Sequence, residues 1–445
     1  MNLTQDAIAI WKAGVAAVDS ENLIRQNVHC NSDHLSICSR QIPLEKLNRI
    51  EIVGAGKAGV GMARGLVKSL AKLANKVPIT GWVNVPEDCV QEVPGVHIHA
   101  ARPAGVNEPT SEGVFGTLEI LKRMKALKEN DLCIVLISGG GSALMPQPIR
   151  GIDLSDKLQS IRVLAESGAP IQELNVVRSQ LSAVKGGGLL NHATAGTVIS
   201  LIVSDVIGDP LEFIASGPTT PTTHTHQDAL NVLRRYDVDK NRVPAAVYQL
   251  LESSPPPPVA QACSSDNYII GSNAIAVAAA TKEAESRGFA VLNYGSKNEG
   301  EARVFGATLF NNLSDLQSRN PQQPQCIIAG GETTVQLTTK APPGKGGRNQ
   351  EVVLGAIDSN RAPKAWSNIA LVSGGTDGED GPTNAAGAFA DEALVQNTQD
   401  QQIDPLNYLD DNNAYSFFER LDGLLITGPT HTNVMDLAVG LAGPR

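Results

Sequence analysis

The chain has 445 residues, of which 42 are glycine and 4% are aromatic, and its formal net charge is −10. A chain of this length exceeds one comfortable hydrophobic core, so two or three domains are expected. The negative charge argues against nucleic acid or an anionic membrane as the main partner, and no apolar run approaches the roughly 18 residues of a membrane span. The six cysteines are scattered without a CxxC motif, which predicts reduced thiols in a cytoplasmic protein.

The first half of the chain alternates predicted strands with predicted helices. Helices are predicted at 5–25, 110–128 and 170–195, and a further helix opens at the glycine-rich segment GAGKAG (54–59). Strands are predicted at 49–53, 78–85, 95–100, 132–137 and 197–203. Such alternation predicts a parallel-rich, Rossmann-like sheet with helices on both faces.

The second half repeats the alternation after a proline-rich segment. The sequence SSPPPP (253–258) can continue neither a helix nor a central strand, so it predicts an exposed linker. Beyond it, strands are predicted at 267–271, 289–293, 369–372 and 423–427, and helices at 273–286 and 348–358. We therefore predict two three-layer α/β domains, residues 1–254 and 255–445, with a parallel-rich sheet in each.

Seven apolar runs each end in a glycine-rich, polar loop. They read IEIVGAGKAG, LCIVLISGGGSAL, LIVSDVIGDP, YIIGSNA, CIIAGGETT, IALVSGGTDGEDG and LLITGPTHTN. A continuous apolar run is typical of a strand buried on both faces, and open α/β sheets bind ligands beyond the carboxyl ends of such strands. The repeated loops therefore predict a polar, phosphorylated ligand at the edge of the sheet.

The first of these loops (54–59) has the GxGxxG spacing of a dinucleotide fingerprint and carries Lys57 inside the turn. Residues 70–76 hold no acid that could bind a ribose, which argues against a dinucleotide. A lysine at a helix N-terminus suits a phosphate or a carboxylate. A ligand contact through Lys57, a dinucleotide loop and a plain tight turn all stay open at this point.

Two other loops are candidate phosphate-binding loops, because consecutive glycines expose their backbone N–H groups. The SGGGS loop consists of Ser138, Gly139, Gly140, Gly141 and Ser142. The GGET loop consists of Gly330, Gly331, Glu332 and Thr333. A bare β–α turn is the alternative for the SGGGS loop.

Carboxylates follow predicted strands in both halves. Asp205 and Asp209 lie four residues apart in the first half, and Asp377 lies in a loop of the second half. Close carboxylates repel one another unless a cation lies between them, and Mg²⁺ takes oxygen ligands and brings phosphates with it. Mg²⁺ or another divalent cation is therefore predicted at these three residues. Capping of the turn is the alternative for Asp205 and Asp209, and contact with a substrate hydroxyl is the alternative for Asp377. For Glu379 and Asp380, solvation alone is the alternative.

Three cations besides Lys57 are candidates for binding an anion. Arg348 opens a predicted helix, where the helix dipole disfavours a lone arginine, so an anionic ligand is predicted there. An ion pair with Glu351 is the alternative. Arg178 and Lys185 lie two turns apart on one face of the predicted basic helix, and a solvated face is the alternative for them.

Together these motifs resemble the class II glycerate kinases (glycerate 2-kinases), including their MOFRL-type C-terminal domain. The resemblance spans nearly the whole chain and is carried by GAGKAG, LISGGGSAL, LNVVRSQLSAVKGGGL, IVSDVIGDPLEFIASGPT, GGETTV, GGRNQE, SGGTDGEDGPTNAAGA and TGPTHTNVMDL. Two segments depart from the pattern. Many members carry an HPxPD-like stretch where this chain has ARPAGVNE (101–108), and KGGR where it has KGGG (185–188).

The resemblance implies transfer of the γ-phosphate of ATP to the 2-hydroxyl of D-glycerate, which yields 2-phosphoglycerate and ADP with the help of a divalent cation. It implies that Lys57 and Arg348 are the family's essential cations and that its acidic loop positions fall on Asp205, Asp209 and Asp377. We hypothesise an active site in the cleft between the two domains, with the SGGGS and GGET loops on the nucleotide phosphates. The residues expected to bind substrate are Lys57, Arg178, Lys185 and Arg348.

Two other functions stay open from the sequence. The GxGxxG spacing favours an NAD(P)H-dependent hydroxypyruvate reductase, against which the lack of a ribose-binding acid argues. A non-catalytic nucleotide-binding regulatory protein would bind ligand without turnover, although the acids beside the glycine loops favour catalysis. For the kinase, the expected partners are the small molecules D-glycerate and ATP. Whether the chain forms a homo-oligomer stays open.

Overall fold

The computed structural model describes residues 2–104, 106, 108–194, 196–253, 263–338 and 344–444. They form two compact units. The parallel-sheet unit comprises Ser20–Ile270, and the mixed-sheet unit comprises the residues up to Asp19 together with those from Gly271 onward. The predicted domain boundary at 254/255, and the proline-rich linker from residue 254 on, lie outside the described residues and stay predictions.

Helices and strands are numbered in chain order over the described residues. The α-helices are α1 (Leu3–Ala17), α2 (Ser20–Asn27), α3 (Gly59–Ser69), α4 (Ser111–Lys125), α5 (Gly141–Leu144), α6 (Leu154–Glu166), α7 (Ile171–Gln180), α8 (His226–Tyr236), α9 (Ala245–Glu252), α10 (Asn273–Ser286), α11 (Ala302–Arg319), α12 (Arg348–Ser359), α13 (Glu392–Asp400), α14 (Pro405–Asp410) and α15 (Ala414–Arg420). The 3₁₀ turns are Leu44–Lys46, Glu87–Cys89, Leu190–His192, Ile214–Ser216 and Pro363–Trp366. The strands are β1 (Val28–Cys30), β2 (His34–Ile37), β3 (Arg40–Pro43), β4 (Arg49–Ala55), β5 (Ile79–Pro86), β6 (Val96–Arg102), β7 (Asp131–Ile137), β8 (Thr197–Val203), β9 (Ser264–Gly271), β10 (Ala290–Asn293), β11 (Gln325–Gly331), β12 (Ile369–Gly375), β13 (Gly387–Asp391), β14 (Leu424–Leu425) and β15 (Asp436–Ala442).

The parallel-sheet unit is built on a six-stranded sheet with the order β6-β5-β4-β7-β8-β9. The pairs β6–β5, β5–β4, β4–β7 and β7–β8 are all parallel. Counted from β4, this is the Rossmann order 3-2-1-4-5-6, in which ligands bind where the order reverses, beyond the carboxyl ends of the two middle strands. The predicted Rossmann-like sheet is confirmed, and the reversal lies between β4 and β7.

The mixed-sheet unit differs from the predicted parallel-rich sheet. Its order is β10-β11-β15-β12-β13-β14, and only the β10–β11 pair is parallel. The central strand β15 was not predicted, and it runs antiparallel to both neighbours. The prediction failed because an apolar run reports that both faces of a strand are covered, and this holds for either strand direction.

Helices cover both faces of the mixed sheet, which confirms three layers in this unit. On one face, Ile10 and Trp11 of α1 pack with Val277 of α10 and Val439 of β15. On the other face, residues of α11 and α12 pack against β11 and β12. In the parallel-sheet unit, residues of α4 pack on β4, β7 and β8, and α6, α7, α8 and α9 form a helical cluster of their own.

Three predicted elements have different bounds in the structure. The helix predicted at 5–25 is two helices, α1 and α2, which belong to different units. The helix predicted at 170–195 ends at Gln180, and the strand predicted at 423–427 spans only Leu424–Leu425. The chain also forms a small antiparallel sheet, β1-β2-β3, that was not predicted. In the described part of the chain, no helix has the length and apolar character needed to span a membrane.

Candidate active site

The GAGKAG loop joins β4 to α3 at the carboxyl edge of the parallel sheet. A Cβ atom on Gly54 would lie 2.2 Å from the backbone oxygen of Leu136 in β7. At Gly56, where φ is +146°, a Cβ atom would lie 2.0 Å from Ser138 Oγ. Only glycine therefore fits these two positions, because the loop packs directly against β7 and the SGGGS loop.

The first backbone N–H groups of this turn are bound by the protein itself. The Lys57 N–H donates to the Gly139 carbonyl oxygen at 2.9 Å, and the Ala58 N–H donates to Ser138 Oγ at 3.0 Å. A dinucleotide fingerprint uses the N–H groups of its turn to hold a pyrophosphate. Their use inside the protein therefore disfavours the dinucleotide alternative.

The SGGGS loop follows β7 and lies beside two cations. Gly140 has φ +78°, and a Cβ atom there would lie 3.7 Å from Lys57 Cγ and 3.6 Å from Arg102 Nη2. Ser138 is buried, and its hydroxyl accepts the hydrogen bond from the GAGKAG turn. A glycine backbone flanked by lysine and arginine suits an oxyanion, because both cations form charge-assisted hydrogen bonds.

Arg102 is a candidate site residue that the sequence prediction missed. It ends β6 and is only 3% exposed. It lies in the ARPAGVNE segment, where the chain departs from the family pattern. The available signal was an arginine at the carboxyl end of a predicted strand, because an arginine is almost never fully buried unless it is paired.

Lys185 reaches the far end of the SGGGS loop. Its Nζ donates to Ser142 Oγ at 2.6 Å, and Ser142 Oγ lies 3.2 Å from Ser216 Oγ. The glycines after Lys185 allow this approach: the N–H of Gly186 donates to the Ser216 carbonyl oxygen at 3.0 Å, and both Gly186 and Gly187 have positive φ. The structure thus brings Lys57, Lys185 and the SGGGS loop together, although they are far apart in sequence.

Lys185 belongs to a cation cluster, which we define as Lys157, Arg178 and Lys185. Burial, and then the charge of Arg178, lowers the pKa of Lys157 to about 7. Burial, together with the charges of Lys157 and Arg178, holds the pKa of Lys185 well below its usual value. The solvated face considered for Arg178 and Lys185 is wrong for Lys185, which is 6% exposed; Arg178 is partly buried.

Lys157 was also missed by sequence reasoning. It lies on α6, whose buried residues Lys157, Ser160, Val163 and Leu164 share one helical face. The sequence did contain a signal for Lys157: the helical period places this lysine on the buried face of the helix. Its side chain is 4% exposed, and its Nζ donates to the Pro146 carbonyl oxygen at 2.9 Å.

Asp205 and Asp209 follow β8 at the same edge of the sheet. Both are partly buried, and Asp209 has φ +58° in a turn closed by its N–H, which donates to the Val206 carbonyl oxygen at 3.0 Å. Among the described residues, no group of three or more His, Cys, Asp or Glu side chains could hold a metal ion. Two carboxylates fit Mg²⁺, which completes its shell with water and substrate phosphates. The metal assignment stays a prediction.

Arg348 begins α12 in the mixed-sheet unit and is held by two carboxylates. Its Nε and Nη2 donate to Asp436 Oδ2 and Oδ1 at 2.5 and 3.1 Å, and its Nη1 lies 2.9 Å from Glu332 Oε1. The ion pair considered with Glu351 is wrong, because Glu351 pairs with Arg303 at 3.3 Å. Burial lowers the pKa of Arg348, but Asp436 more than offsets this, so the guanidinium stays charged.

Asp436 is the residue through which β15 enters the site. As the first residue of β15, it pairs with Gly331 at the end of β11 and with Gly375 at the end of β12. Its carboxylate therefore lies between the two strands that carry the GGET loop and the Asp377 loop. Sequence reasoning missed it because it missed β15.

Asp380 caps the helix that begins at Arg348. It is 2% exposed, and its carboxylate accepts hydrogen bonds from the N–H groups of Asn349 and Gln350 at 3.0 and 2.8 Å. A carboxylate at this position stabilises the start of a helix. Burial raises the pKa of Asp380 to about 7, although these hydrogen bonds oppose the rise. Solvation, the alternative considered for Asp380, is therefore wrong.

The GGET loop and Asp377 have local roles in the mixed-sheet unit. The N–H groups of Gly330 and Glu332 donate to the carbonyl oxygens of Gly295 and Asn298 at 2.8 and 2.9 Å. Asp377 Oδ1 accepts from the N–H of Glu379 at 3.1 Å, which closes a turn. The nucleotide contacts predicted for Gly330, Gly331, Glu332 and Thr333, and the metal contact of Asp377, stay predictions.

The sequence matches two protein families. The family described as a domain of unknown function (DUF4147) matches residues 6–252, and the MOFRL family matches residues 325–436. Together they include the GAGKAG, SGGGS and KGGG loops of one unit and Arg348 and Asp436 of the other.

Curated and solved relatives cover the whole chain. Glycerate kinase of Rattus norvegicus is 35% identical over 100% of this chain and 94% of its own length. Glycerate 2-kinase of Pyrococcus horikoshii is 32% identical over 99% of this chain and 98% of its own. The crystal structure of glycerate kinase from Thermotoga maritima superposes with a TM-score of 0.83 at 31% identity, covering 99% of both chains. The chain therefore belongs to the class II glycerate kinase family.

Proposed function

We propose that the protein is an ATP-dependent glycerate 2-kinase, which transfers the γ-phosphate of ATP to the 2-hydroxyl of D-glycerate and yields 2-phosphoglycerate and ADP. The observation that supports this most directly is the convergence of Lys57, Arg102 and Lys185 on the SGGGS loop, where the parallel strand order reverses. Phosphoryl transfer requires positioning and neutralisation of charge more than covalent chemistry. Cations around a glycine loop supply both.

The roles of the residues follow from their charge and surroundings. The N–H groups and hydroxyls of Ser138–Ser142 are suited to the nucleotide phosphates, and the GGET loop is the second candidate for them. Lys57 and Arg348 neutralise the negative charge on the glycerate carboxylate and on the transferring phosphoryl group. Arg178 and Lys185 add positive charge for substrate binding. Asp436 positions Arg348 without being required to touch substrate.

A divalent cation completes the proposed site. Asp205 and Asp209 provide oxygen ligands at the carboxyl end of β8, and Asp377 is the third candidate ligand. Bound Mg²⁺ would neutralise phosphate charge and hold the phosphate chain in place. A cytoplasmic location, small-molecule substrates as the main partners and a homo-oligomer remain compatible with this function.

The product identifies the reaction. We expect ³¹P NMR of D-glycerate incubated with ATP and the protein to show ADP and a phosphomonoester split into a doublet, because the phosphate of 2-phosphoglycerate is coupled to one proton on carbon 2. Phosphorylation of the 3-hydroxyl would give a triplet instead. No phosphoryl transfer, but oxidation of NADH by hydroxypyruvate at 340 nm, would identify the reductase. Ligand binding without either reaction would identify a regulatory protein.

A further inference from the structure

Within the cation cluster, Lys157 lies on α6 and contacts the segment that follows the SGGGS loop. Lys157 Nζ donates to the Pro146 carbonyl oxygen at 2.9 Å, and Lys185 Nζ donates to Ser142 Oγ at 2.6 Å. Both acceptors lie on the short segment that includes the SGGGS loop and α5. The two ammonium groups therefore approach one segment from two different elements.

Among the described residues, the cluster has no carboxylate as a counter-ion. Lys157 and Lys185 are 4% and 6% exposed, and Arg178 Nη1 donates only a long hydrogen bond, 3.3 Å, to Asn175. Across the residues that the structure describes, no carboxylate lies within 4.0 Å of a charged nitrogen of these three side chains. An ammonium group has three donors, and each lysine uses one of them in these contacts.

Such an arrangement is costly unless something negative completes it. Removing a charge from water carries a free-energy penalty that an opposite charge normally offsets. Neighbouring cations add to the penalty of burial, and burial together with these cations lowers the pKa values of both lysines. Exposed lysines of the same unit are arranged differently: Lys68 and Lys122 each lie within 4 Å of a glutamate. The cluster therefore has the properties of a binding site that is complete only with an anion.

We propose that Lys157, Arg178 and Lys185 form one oxyanion-binding subsite at the Ser142 end of the SGGGS loop. Its ligand is a phosphate or carboxylate group of a substrate, and Lys157 is a binding residue in it. Binding of an oxyanion does not depend on the proposed function; only the identity of the substrate that carries the oxyanion rests on it.

The experiment measures ligand binding to the full chain by isothermal titration calorimetry. The probes are a non-hydrolysable ATP analogue, D-glycerate and inorganic phosphate, each titrated into wild type, Lys157→Met, Lys157→Arg and the control Lys122→Met, whose lysine is 76% exposed. We expect Lys157→Met to weaken at least one of the three probes about 10- to 100-fold, the value of a charge-assisted hydrogen bond. Lys157→Arg should restore part of the loss, and Lys122→Met should bind like wild type.

The outcomes separate the two sources of the oxyanion. Weaker binding of the ATP analogue and inorganic phosphate, with glycerate unchanged, assigns the subsite to a phosphate. Weaker binding of glycerate alone assigns it to the carboxylate. Affinities in Lys157→Met that equal those of Lys122→Met for all three probes would overturn the subsite, with circular dichroism confirming that both variants are folded. A chain that binds these probes through Lys157 but transfers no phosphate would keep the subsite and refute the kinase.

Discussion

Lys57 and Arg348 reach their positions by different means. The backbone of Lys57 is fixed by a hydrogen bond from its N–H to Gly139 in the SGGGS loop, so the position of its side chain depends on two glycine-rich turns that pack together. Arg348 is fixed through its side chain, by Asp436 and Glu332. Mutations can therefore separate the charge of Arg348 from its positioning, because its partners can be replaced independently. At Lys57, side-chain mutations test only the charge.

Replacing Lys57 by alanine tests its proposed role. We expect Lys57→Ala to lower kcat/KM for phosphorylation of D-glycerate on the order of 10²- to 10³-fold, as happens when one group that stabilises charge in the transition state is removed. ADP release coupled to a spectroscopic assay measures it, with Lys122→Ala as the exposed control. Near wild-type activity of Lys57→Ala would remove Lys57 from the mechanism.

Asp436→Asn tests the positioning of Arg348. The amide keeps the shape of the side chain but loses the charge that holds the guanidinium, so we expect kcat to fall roughly tenfold while KM changes little. Arg348→Ala should cost more, on the order of 10²- to 10³-fold. Asp358→Asn, which removes a carboxylate near the end of the same helix that pairs with Arg361, is the control. A loss in Asp436→Asn as large as that in Arg348→Ala would show that Asp436 does more than position the arginine.

The buried lysine of α6 predicts a pH dependence of stability. The pKa of Lys157 is about 7 in the folded chain and about 10.4 for a lysine in an unfolded chain. Between these values the unfolded state binds the extra proton, so this group makes the fold more stable as pH rises from about 7 to about 10, by at most about 1.4 kcal/mol per pH unit. Urea unfolding of wild type and Lys157→Met at pH 7 and pH 9 measures it. The free energy of unfolding of wild type, relative to the variant, should increase between these pH values; a constant difference would contradict the assignment.

Among the elements, α12 shows how the start of a helix positions a candidate functional side chain. Asp380 lies in a loop after β12 and accepts the first N–H groups of α12, so Arg348 is held at the first turn by a carboxylate distant in sequence. Gly347 makes this contact possible, since a Cβ atom there would lie 2.3 Å from Asp380 Cγ. The sequence predicted the helix and its arginine, but it could not show which acid caps it.

Gly347→Ala tests this contact without an unusual backbone conformation, because Gly347 has φ −144°. We expect the added methyl group to displace Asp380, lowering the free energy of unfolding by about 1–3 kcal/mol and reducing kcat through Arg348. Gly443→Ala is the matched control, because the nearest atom to its added Cβ lies at 3.4 Å. Thermal unfolding and the kinase assay measure both effects. Equal melting temperatures for the two variants would refute the close contact.

The direction of the strands in the mixed sheet could not be predicted from the sequence. The runs of β7, β11 and β12 were all recognised as buried strands, and each is buried along its whole length. In the mixed sheet, however, β15 lies between β11 and β12 and runs against both. Burial of a strand depends on the layers above and below it, whereas direction depends on the connections of the chain.

At the scale of the whole molecule, the two units carry complementary chemistry. The parallel-sheet unit concentrates cations around a glycine loop and adds two carboxylates after β8. The mixed-sheet unit holds one arginine between carboxylates and a capped helix. We predict that the reaction requires residues from both units, and the cleft hypothesised between the domains stays a prediction.

Removal of divalent cations tests whether the reaction depends on a metal ion bound by the carboxylates. We expect EDTA to abolish phosphoryl transfer, because no divalent cation would then neutralise the phosphate charge, and added Mg²⁺ should restore the reaction. Asp205→Asn should raise the Mg²⁺ concentration required for half-maximal activity, with Asp358→Asn as the control. Full activity in EDTA would exclude the metal assignment.

The sequence alone determined the α/β class, the Rossmann-like first sheet, the glycine loops at strand ends and the family, and it predicted Lys57 and Arg348 as candidate cations. These depend on local patterns: apolar runs, turn residues and motif spacing. Only the tertiary structure revealed β15, the partners of Arg348, the cap by Asp380, and the burial of Arg102 and Lys157. A charged side chain becomes a buried site residue through what packs against it, and those neighbours come from distant parts of the chain.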